Sequence, residues 1–280
     1  MAESVDPATV RGLADTVERH DGVAAFSEQV LLNLTTGGVG AARHLPVLDG
    51  VDLVGYAQLD RGSAEFAVHP EHRRRGLGGR LLDSVLAADA ATRVWAHGPH
   101  PAAAPLAASR GLVVVRELWL MTAPPPPSAT PMPQVPDDIV VTTFDAARDG
   151  EDWLAVNARA FAAHPEQGRM TRADLDARIA EPWFDASGFW LARDRTGVPL
   201  GSMWTKVSDG VGEIYVLGVD PAAQGRGLGG LLTAIAMRHF AQLPLRGVEL
   251  YVEGDNHAAI RTYQRAGFGR RRADVQYAAG

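Results

Sequence analysis

The sequence predicts an α/β protein made of two consecutive copies of one strand–helix unit. Three observations carry that prediction. Strand and helix patterns alternate through both halves of the chain. A proline-rich segment, APPPPSATPMPQVP at 123–136, holds seven prolines and favours an extended connector over helix. A glycine turn, RRRGLGG at 73–79, returns as QGRGLGG at 224–230, the mark of an internal repeat.

Length and composition agree. A chain of 280 residues accommodates two domains of ordinary size, expected at 1–123 and 137–280 with 124–136 as linker. Each is long enough to bury a core unaided. The formal net charge is −6, which gives no general electrostatic attraction to nucleic acid or anionic membrane, so neither is expected as a partner. The chain has no cysteine, which excludes a disulfide framework, a thiolate metal site and a cysteine nucleophile; no metal is expected. The first residues lack the apolar run of a signal peptide, and no segment has the length of a membrane span. A soluble cytoplasmic protein is expected.

The elements follow in order. In the first half, VDLVGYAQLDRGSAEFAVHP supplies strands, GLGGRLLDSVLAADAAT a helix, RVWAHG a strand, PAAAPLAASRGL a short helix and VVVRELWLMT a closing strand. The second half opens with two helices, DWLAVNARAFAAHPEQG and TRADLDARIAEP. FWLARDRTGVPLGSMWTKVSDGVGEIYVLGVDP then reads as three strands with turns at Arg195–Pro199 and Ser208–Gly212. LGGLLTAIAMRHFAQL has helical apolar spacing, GVELYVEGDN is a strand, and HAAIRTYQRAGF is a helix ending at Gly267. ADVQYAA closes the chain as a strand. Val219-Asp220-Pro221 repeats Val68-His69-Pro70 at a spacing of 151, and Gly254 and Gly267 repeat Gly98 and Gly111 at 156.

A strand end, a Q-x-x-G-x-G turn and a helix start place several backbone N–H donors at one helix terminus. Those donors and the helix dipole suit a pyrophosphate, and glycine lets the backbone approach it. The same glycines, Gly227, Gly229 and Gly230, also suit close helix–sheet packing, and the turn alone leaves both readings open. It lacks the Lys-Ser end of a P-loop and differs from G-x-G-x-x-G.

The turn after a V-x-P strand end, followed by the D-N-x-x-A-x-x-x-Y helix at 255–263, resembles the GNAT acetyltransferase superfamily. The resemblance implies two tandem GNAT domains, each a mixed, mostly antiparallel sheet flanked by helices, with acetyl-CoA as cosubstrate. Acetyl transfer to an amine needs a neutral amine, donors for the oxyanion and a proton for the departing thiolate. The family places a general-acid tyrosine where Tyr263 stands. Glu213, at the start of the strand leading to the turn, could accept the amine proton, and the Val219 N–H is the oxyanion donor. At the repeat spacings Tyr263 falls on Ala107 and Glu213 on Gly62. The first half therefore keeps the turn but lacks the proton-transfer groups, and the second half is expected to be the catalyst.

The tandem arrangement with AAHPEQGRMT, GEIYVLGVDPAAQGRGLG and LYVEGDNHAAIRTYQRAGF is similar to the actinobacterial mycothiol synthases over nearly the whole chain. That family acetylates the cysteinyl amine of Cys-GlcN-Ins. Carried over, the resemblance puts Leu217, Gly218 and Val219 on the thioester and pantetheine, and Gln224, Gly225, Arg226, Gly227, Leu228, Gly229 and Gly230 on the pyrophosphate. Asn256, His257, Ala258, Ala259, Ile260 and Arg261 would flank the CoA arm. Ala67, Val68, Arg74, Arg75, Gly76, Leu77, Gly78 and Gly79 would form a second CoA site in the first half. Glu28, Glu166, Lys206, Glu213 and Tyr251 would contact the small-molecule amine. Lys206 is the only lysine of the chain. Physics alone stops at a small or exposed amine; an aminoglycoside, a protein N-terminus or a non-catalytic acyl-CoA sensor remain as alternatives. A monomer is expected, two joined halves standing in for a dimer.

Overall fold

The computed structural model describes residues 5–35, 42–162 and 167–280. The chain divides into two compact units. One comprises Met1–Leu118 with Arg272–Gly280, the other Trp119–Arg271.

The first unit begins with α1 (Pro7–Asp21) and α2 (Glu28–Thr35). β1 (Arg43–Asp49), β2 (Asp52–Asp60) and β3 (Ser63–Val68) follow, then α3 (Leu77–Ala88), β4 (Arg93–Ala96), α4 (Ala103–Ala108) and the start of β5 (Leu112–Ala123). β1, β2 and β3 pair antiparallel, whereas β3 and β4 are parallel. In the second unit come β6 (Ile139–Thr143), α5 (Ala146–Ala160), α6 (Arg172–Ile179), β7 (Phe189–Asp194), β8 (Pro199–Ser208) and β9 (Val211–Val219). α7 (Leu228–Phe240), β10 (Gly247–Glu253), α8 (His257–Arg265) and β11 (Gly269–Ala279) complete the chain. β6 to β9 are antiparallel, and β9 pairs parallel with β10. Both units thus have the mixed, mostly antiparallel sheet with helices on its faces. No described helix is long and apolar enough to cross a membrane.

The compact units do not part at the proline-rich segment. β5 runs through the boundary, and the last residues of β11 belong to the first unit. There Val275, Gln276 and Tyr277 pair antiparallel with Ala96, Trp95 and Val94 of β4. Strand edges offer their N–H and C=O groups to any chain in reach, so local pattern does not specify which sheet a terminal strand completes.

Each sheet carries a core on both faces. In the first unit, α1 and α2 cover Tyr56 and Ala67, while Leu81, Leu82 and Val85 of α3 cover Ala57, Ala64 and Val94. In the second, Leu228, Leu232 and Phe240 of α7 pack with Met203, Ile214, Val248 and Leu250. The opposite face is aromatic: Trp153 of α5 packs with Phe144, Phe189, Trp204 and Val216. The Phe189 and Trp204 rings stack at 4.5 Å, and the Trp153 indole donates to Ser202 Oγ at 3.0 Å.

Helix starts differ in an informative way. Asp6, Asp145, Thr171 and Asn256 cap α1, α5, α6 and α8 with their side chains, satisfying donors that a helix start leaves open. α3 and α7 begin instead under Gly76 and Gly227, with no side-chain cap.

Candidate active site

The second unit opens a gap within its sheet. β9 and β10 pair from Val211–Gly247 to Ile214–Leu250, and the pairing ends there. β9 continues to Val219 and β10 to Glu253. The Asp220 N–H bonds Leu200 O on the β8 side at 2.8 Å. Because successive N–H groups along a strand point to opposite edges, the Val219 N–H points into the gap. An extended chain bearing amides would find strand-like partners there, and a carbonyl at its end would meet the Val219 donor.

The glycine turn lies at the end of β9. Asp220 has φ −51° and ψ 131°, and its carboxylate accepts from the Ala222 N–H. Gly225 and Gly227 have φ of 80° and 79°, a left-handed backbone that favours glycine. A Cβ built on Gly225, Gly227, Gly229 or Gly230 meets nothing within 4 Å. Helix–sheet packing therefore does not require these glycines. Open space above an uncapped helix start suits an approaching anion. Arg226 flanks the turn, its guanidinium 2.5 Å from Asp138.

Gly229 and Gly230 lie within α7 and are not strained. Gly229→Ala should therefore stabilise the fold by about 0.5–1 kcal/mol through helix propensity while raising the KM for acetyl-CoA. Denaturant midpoints and initial rates test this; a lower midpoint would mean the site packs against protein after all.

The first unit has the same turn in nearly the same backbone. His69 has φ −51° and ψ 131°, and Arg74 takes the left-handed conformation that Gly225 takes in the second unit. Its surroundings differ. A Cβ on Gly78 would meet Leu106 of α4 at 3.6 Å, and one on Gly79 would meet the Arg110 guanidinium at 2.8 Å. Arg110 is held there by Asp83 at 2.9 and 3.0 Å. Protein covers part of what is open in the second unit.

A β-bulge decides where Glu213 points. Trp204 faces Val216 across the β8–β9 ladder, but Thr205 faces Ile214. Tyr215 is the extra residue. Leu217 and Ile214 both join the α7 side of the core, while Tyr215 and Val216 join the aromatic side. A strict alternation would have turned Glu213 towards α7; the extra residue reverses every side chain before it. Glu213 thus shares its face with Tyr215 and stands opposite Lys206.

This corrects the repeat alignment. β2 and β3 pair without a shift, and Ser63 pairs with Arg93 as Glu213 pairs with Glu249. The residue equivalent to Glu213 is Ser63, not Gly62. The spacing of 151 holds from the turn back to the bulge and becomes 150 before it. The first unit still lacks a carboxylate at this point.

The other residues expected to contact the acceptor fall as follows. The Lys206 ammonium sits 4.7 Å from the Trp183 ring centroid and 5.6 Å from that of Tyr215, within cation–π range. Arg178 of α6 donates to the Tyr215 hydroxyl at 2.8 Å. Leu250 and Val252 face the α7 side, so Glu249, Tyr251 and Glu253 alternate to the face of Glu213. Tyr251 is exposed; it does not fill the core. Glu28 opens α2 in the first unit, and Glu166 lies outside the described residues. Trp183, Arg178 and Tyr215 escaped sequence reasoning, since nothing local distinguishes them from core aromatics or surface arginines.

Tyr263 is buried in α8, against Phe268. Burial pushes its phenol well above the ordinary value, which keeps the proton on the oxygen at any working pH. Asn256 caps this helix through the Ala259 N–H. His257, Ala258 and Arg261 are exposed, whereas the Ile260 side chain belongs to the core.

One cluster was not foreseen. In the first unit, β3 and β4 also part after a short parallel stretch ending at Ala64–Val94. Glu65 lies beside that gap and accepts from the Ser27 N–H and hydroxyl, both at 2.6 Å. His97 stands between Glu65 at 2.9 Å and Asp274 of β11 at 3.1 Å. The Gly98 N–H also bonds Asp274, at 2.8 Å. Against the cost of burial, the two carboxylates push the His97 imidazole up to about 10, and Glu65 and Asp274 are held below their usual range. Where the second unit has a gap, the first has a buried ion-pair chain.

Comparison with known proteins fits this geometry. The Acetyltransferase (GNAT) family profile matches residues 153–268, and an Acetyltransferase (GNAT) domain profile matches 41–111. The mycothiol acetyltransferase of Catenulispora acidiphila is 48% identical, covering 97% of this chain and 95% of the relative. The chain belongs to the mycothiol acetyltransferase family of GNAT enzymes. Mycothiol acetyltransferases of Kytococcus sedentarius (48% identity over 97% of this chain and 93% of theirs) and Streptomyces avermitilis (47%, 96% and 90%) are similarly related. Among solved structures, a tandem GNAT protein from the clavulanic acid biosynthesis pathway matches with a TM-score of 0.71, covering 98% of this chain and 95% of its own, at 20% identity. A GCN5-related N-acetyltransferase from Sphaerobacter thermophilus matches at 0.70, covering 97% and 92%, with 24% identity. These likenesses bear on the fold. As a mycothiol acetyltransferase family member, the chain is an acetyl-transferring enzyme.

Proposed function

We propose that the second unit transfers acetyl from acetyl-CoA to the cysteinyl amine of Cys-GlcN-Ins, giving mycothiol and CoA. The observation that carries this reading is the bulge at Tyr215, which sets Glu213 on the face with Lys206, Tyr251 and Glu249. A carboxylate-rich face suits an acceptor that arrives as an ammonium and carries sugar hydroxyls. The relatives' shared name supports the same acceptor.

The reaction is read as direct transfer. The pyrophosphate of acetyl-CoA lies on the N–H groups of Gln224 through Gly230, and the pantetheine arm enters the gap along Leu217–Val219, flanked by Asn256–Arg261. Glu213 takes the proton of the incoming ammonium, directly or through water. An α-amine has an ordinary pKa of roughly 8, so a modest base suffices. The free nitrogen pair attacks the thioester carbon, and the carbonyl oxygen becomes an oxyanion facing the Val219 N–H. Collapse breaks the C–S bond as Tyr263 gives its proton to the departing thiolate, and the second proton of the attacking nitrogen, lost as the amide forms, passes through water to the Tyr263 phenolate and restores the phenol. Glu213→Gln should lower kcat/KM at pH 7 by roughly 10²-fold or more and leave acetyl-CoA binding intact.

The decisive assay is acetyl-CoA consumption with Cys-GlcN-Ins beside GlcN-Ins, which lacks the cysteinyl amine. Turnover confined to the cysteinyl compound supports the reading. Turnover of neither removes the acceptor assignment and leaves the fold as it stands.

A further inference from the structure

The structure sets the far end of Lys206 against aromatic rings. A lysine stem is long and flexible, and its ammonium loses much rotamer freedom when it is held in one place. β8 fixes only where the stem begins, opposite Glu213. Cross-strand neighbours share a face, so the stem rises on the side of Glu213 and Tyr215. The groups that meet its other end come from outside β8.

Two rings meet the ammonium. It lies over Trp183, 4.7 Å from the centroid, and over Tyr215, at 5.6 Å, and the π faces attract it. The two rings form a corner, with centroids 5.0 Å apart and planes at 61°. Both rest on the fully buried Trp204, at 5.9 and 5.2 Å. β7 begins at Phe189, opposite Trp204, so it does not reach Lys206. A turn between α6 and β7, in which the Phe184 N–H bonds Glu181 O at 3.0 Å, carries Trp183 instead. Tyr215 is held by α6: Arg178 Nε donates to its hydroxyl at 2.8 Å, and Arg178 Nη1 donates to Asp174 O at 3.0 Å. Tyr215 is also the extra residue of the bulge. One irregularity therefore turns Glu213 to this face and supplies a ring that holds Lys206.

We propose that Trp183 and Tyr215 are positioning residues. They hold the Lys206 ammonium in place on the face of Glu213, so that an oxygen of the acceptor meets a cation already ordered, and binding does not have to order it. Neither ring enters the chemistry. This rests on the acceptor reading above.

The test is a double-mutant cycle on the full chain, with Cys-GlcN-Ins as acceptor. Trp183→Leu keeps apolar bulk and removes the π face; Trp183→Phe keeps a π face. Trp183→Leu should raise the acceptor KM roughly three- to tenfold, with kcat within about twofold and the KM for acetyl-CoA unmoved. Trp183→Phe should restore part of the loss. In a Lys206→Met background, Trp183→Leu should add nothing. An equal rise in both backgrounds, the mark of a packing role, overturns the proposal, as does no rise in either. A second measurement needs no variant and no acceptor. Because Lys206 is the only lysine, protein labelled with ¹³C-lysine gives a single set of lysine resonances. Ring currents should place its ε-methylene protons upfield of an ordinary lysine, and an ordinary shift in wild type overturns the proposal. Should wild type fail to acetylate Cys-GlcN-Ins, the acceptor reading fails separately, and this resonance decides whether the rings hold Lys206.

Discussion

Tyr263→Phe is expected to lower kcat by roughly 10²–10⁴-fold, the usual worth of a positioned general acid, or about 3–5 kcal/mol of barrier. The KM values for acetyl-CoA and acceptor should change little, because the ring stays and only the hydroxyl leaves. The fold should survive for the same reason: Tyr263 packs against Phe268 through its ring. Burial raises the phenol's pKa, so the wild-type kcat should show no alkaline limb from this group below about pH 10, the ordinary value of a tyrosine. Pre-steady-state and steady-state rates across pH test both points. A variant with unchanged kcat would reduce Tyr263 to a core residue.

The second large effect is one of stability. His97→Ala leaves Glu65 and Asp274 facing each other in a buried space without the cation between them. Breaking a buried pair in this way costs about 3–5 kcal/mol, read as a fall in the urea midpoint. Because His97 joins β3 and β4 to the last strand, the loss should appear first in amide exchange at Val275, Gln276 and Tyr277. The wild-type pH dependence follows from the shifts. The His97 pKa is raised to about 10, so its contribution is complete below its unfolded value of about 6.5 and is lost as pH rises towards 10. The Glu65 and Asp274 pKa values are lowered, so theirs is complete above about pH 4.5 and lost as pH falls below that. The cluster therefore contributes most between about pH 4.5 and 6.5, and His97→Ala should flatten the alkaline decline. An equal alkaline slope in variant and wild type would show that the cluster does not govern stability.

Much of this protein is legible from local pattern. The glycine turns announce themselves because left-handed backbone and close approach restrict residue choice to very few types. Helices such as α7 and strands such as β8 and β9 follow from apolar periodicity. The duplication is visible because both copies kept the turn and the glycines after it. The family resemblance rests on the same features, and it singled out Tyr263 and the glycine turn.

The comparison of the two halves was less secure. A repeat spacing read from glycines passes smoothly over a one-residue bulge, since nothing in GEIYVLGV marks Tyr215 as extra. The structure was needed to pair Glu213 with Ser63 and to show which face it takes. The closing strand posed a related problem. ADVQYAA reads correctly as a strand, yet only the assembled sheet shows that it pairs with β4.

The sequence by itself determined the two-copy architecture, the kind of elements, the two glycine turns and the half in which Glu213 and Tyr263 stand. Tertiary structure decided that Glu213 points away from α7, that the glycines of the second turn face open space, that Trp183 and Tyr215 flank Lys206, and that Glu65, His97 and Asp274 meet. The physical reason is range. Turns and periodicity are set by the backbone preferences of neighbouring residues, whereas register, facing and charge pairing depend on partners far along the chain. His97 and Asp274 lie 177 residues apart, and no local preference of either one names the other.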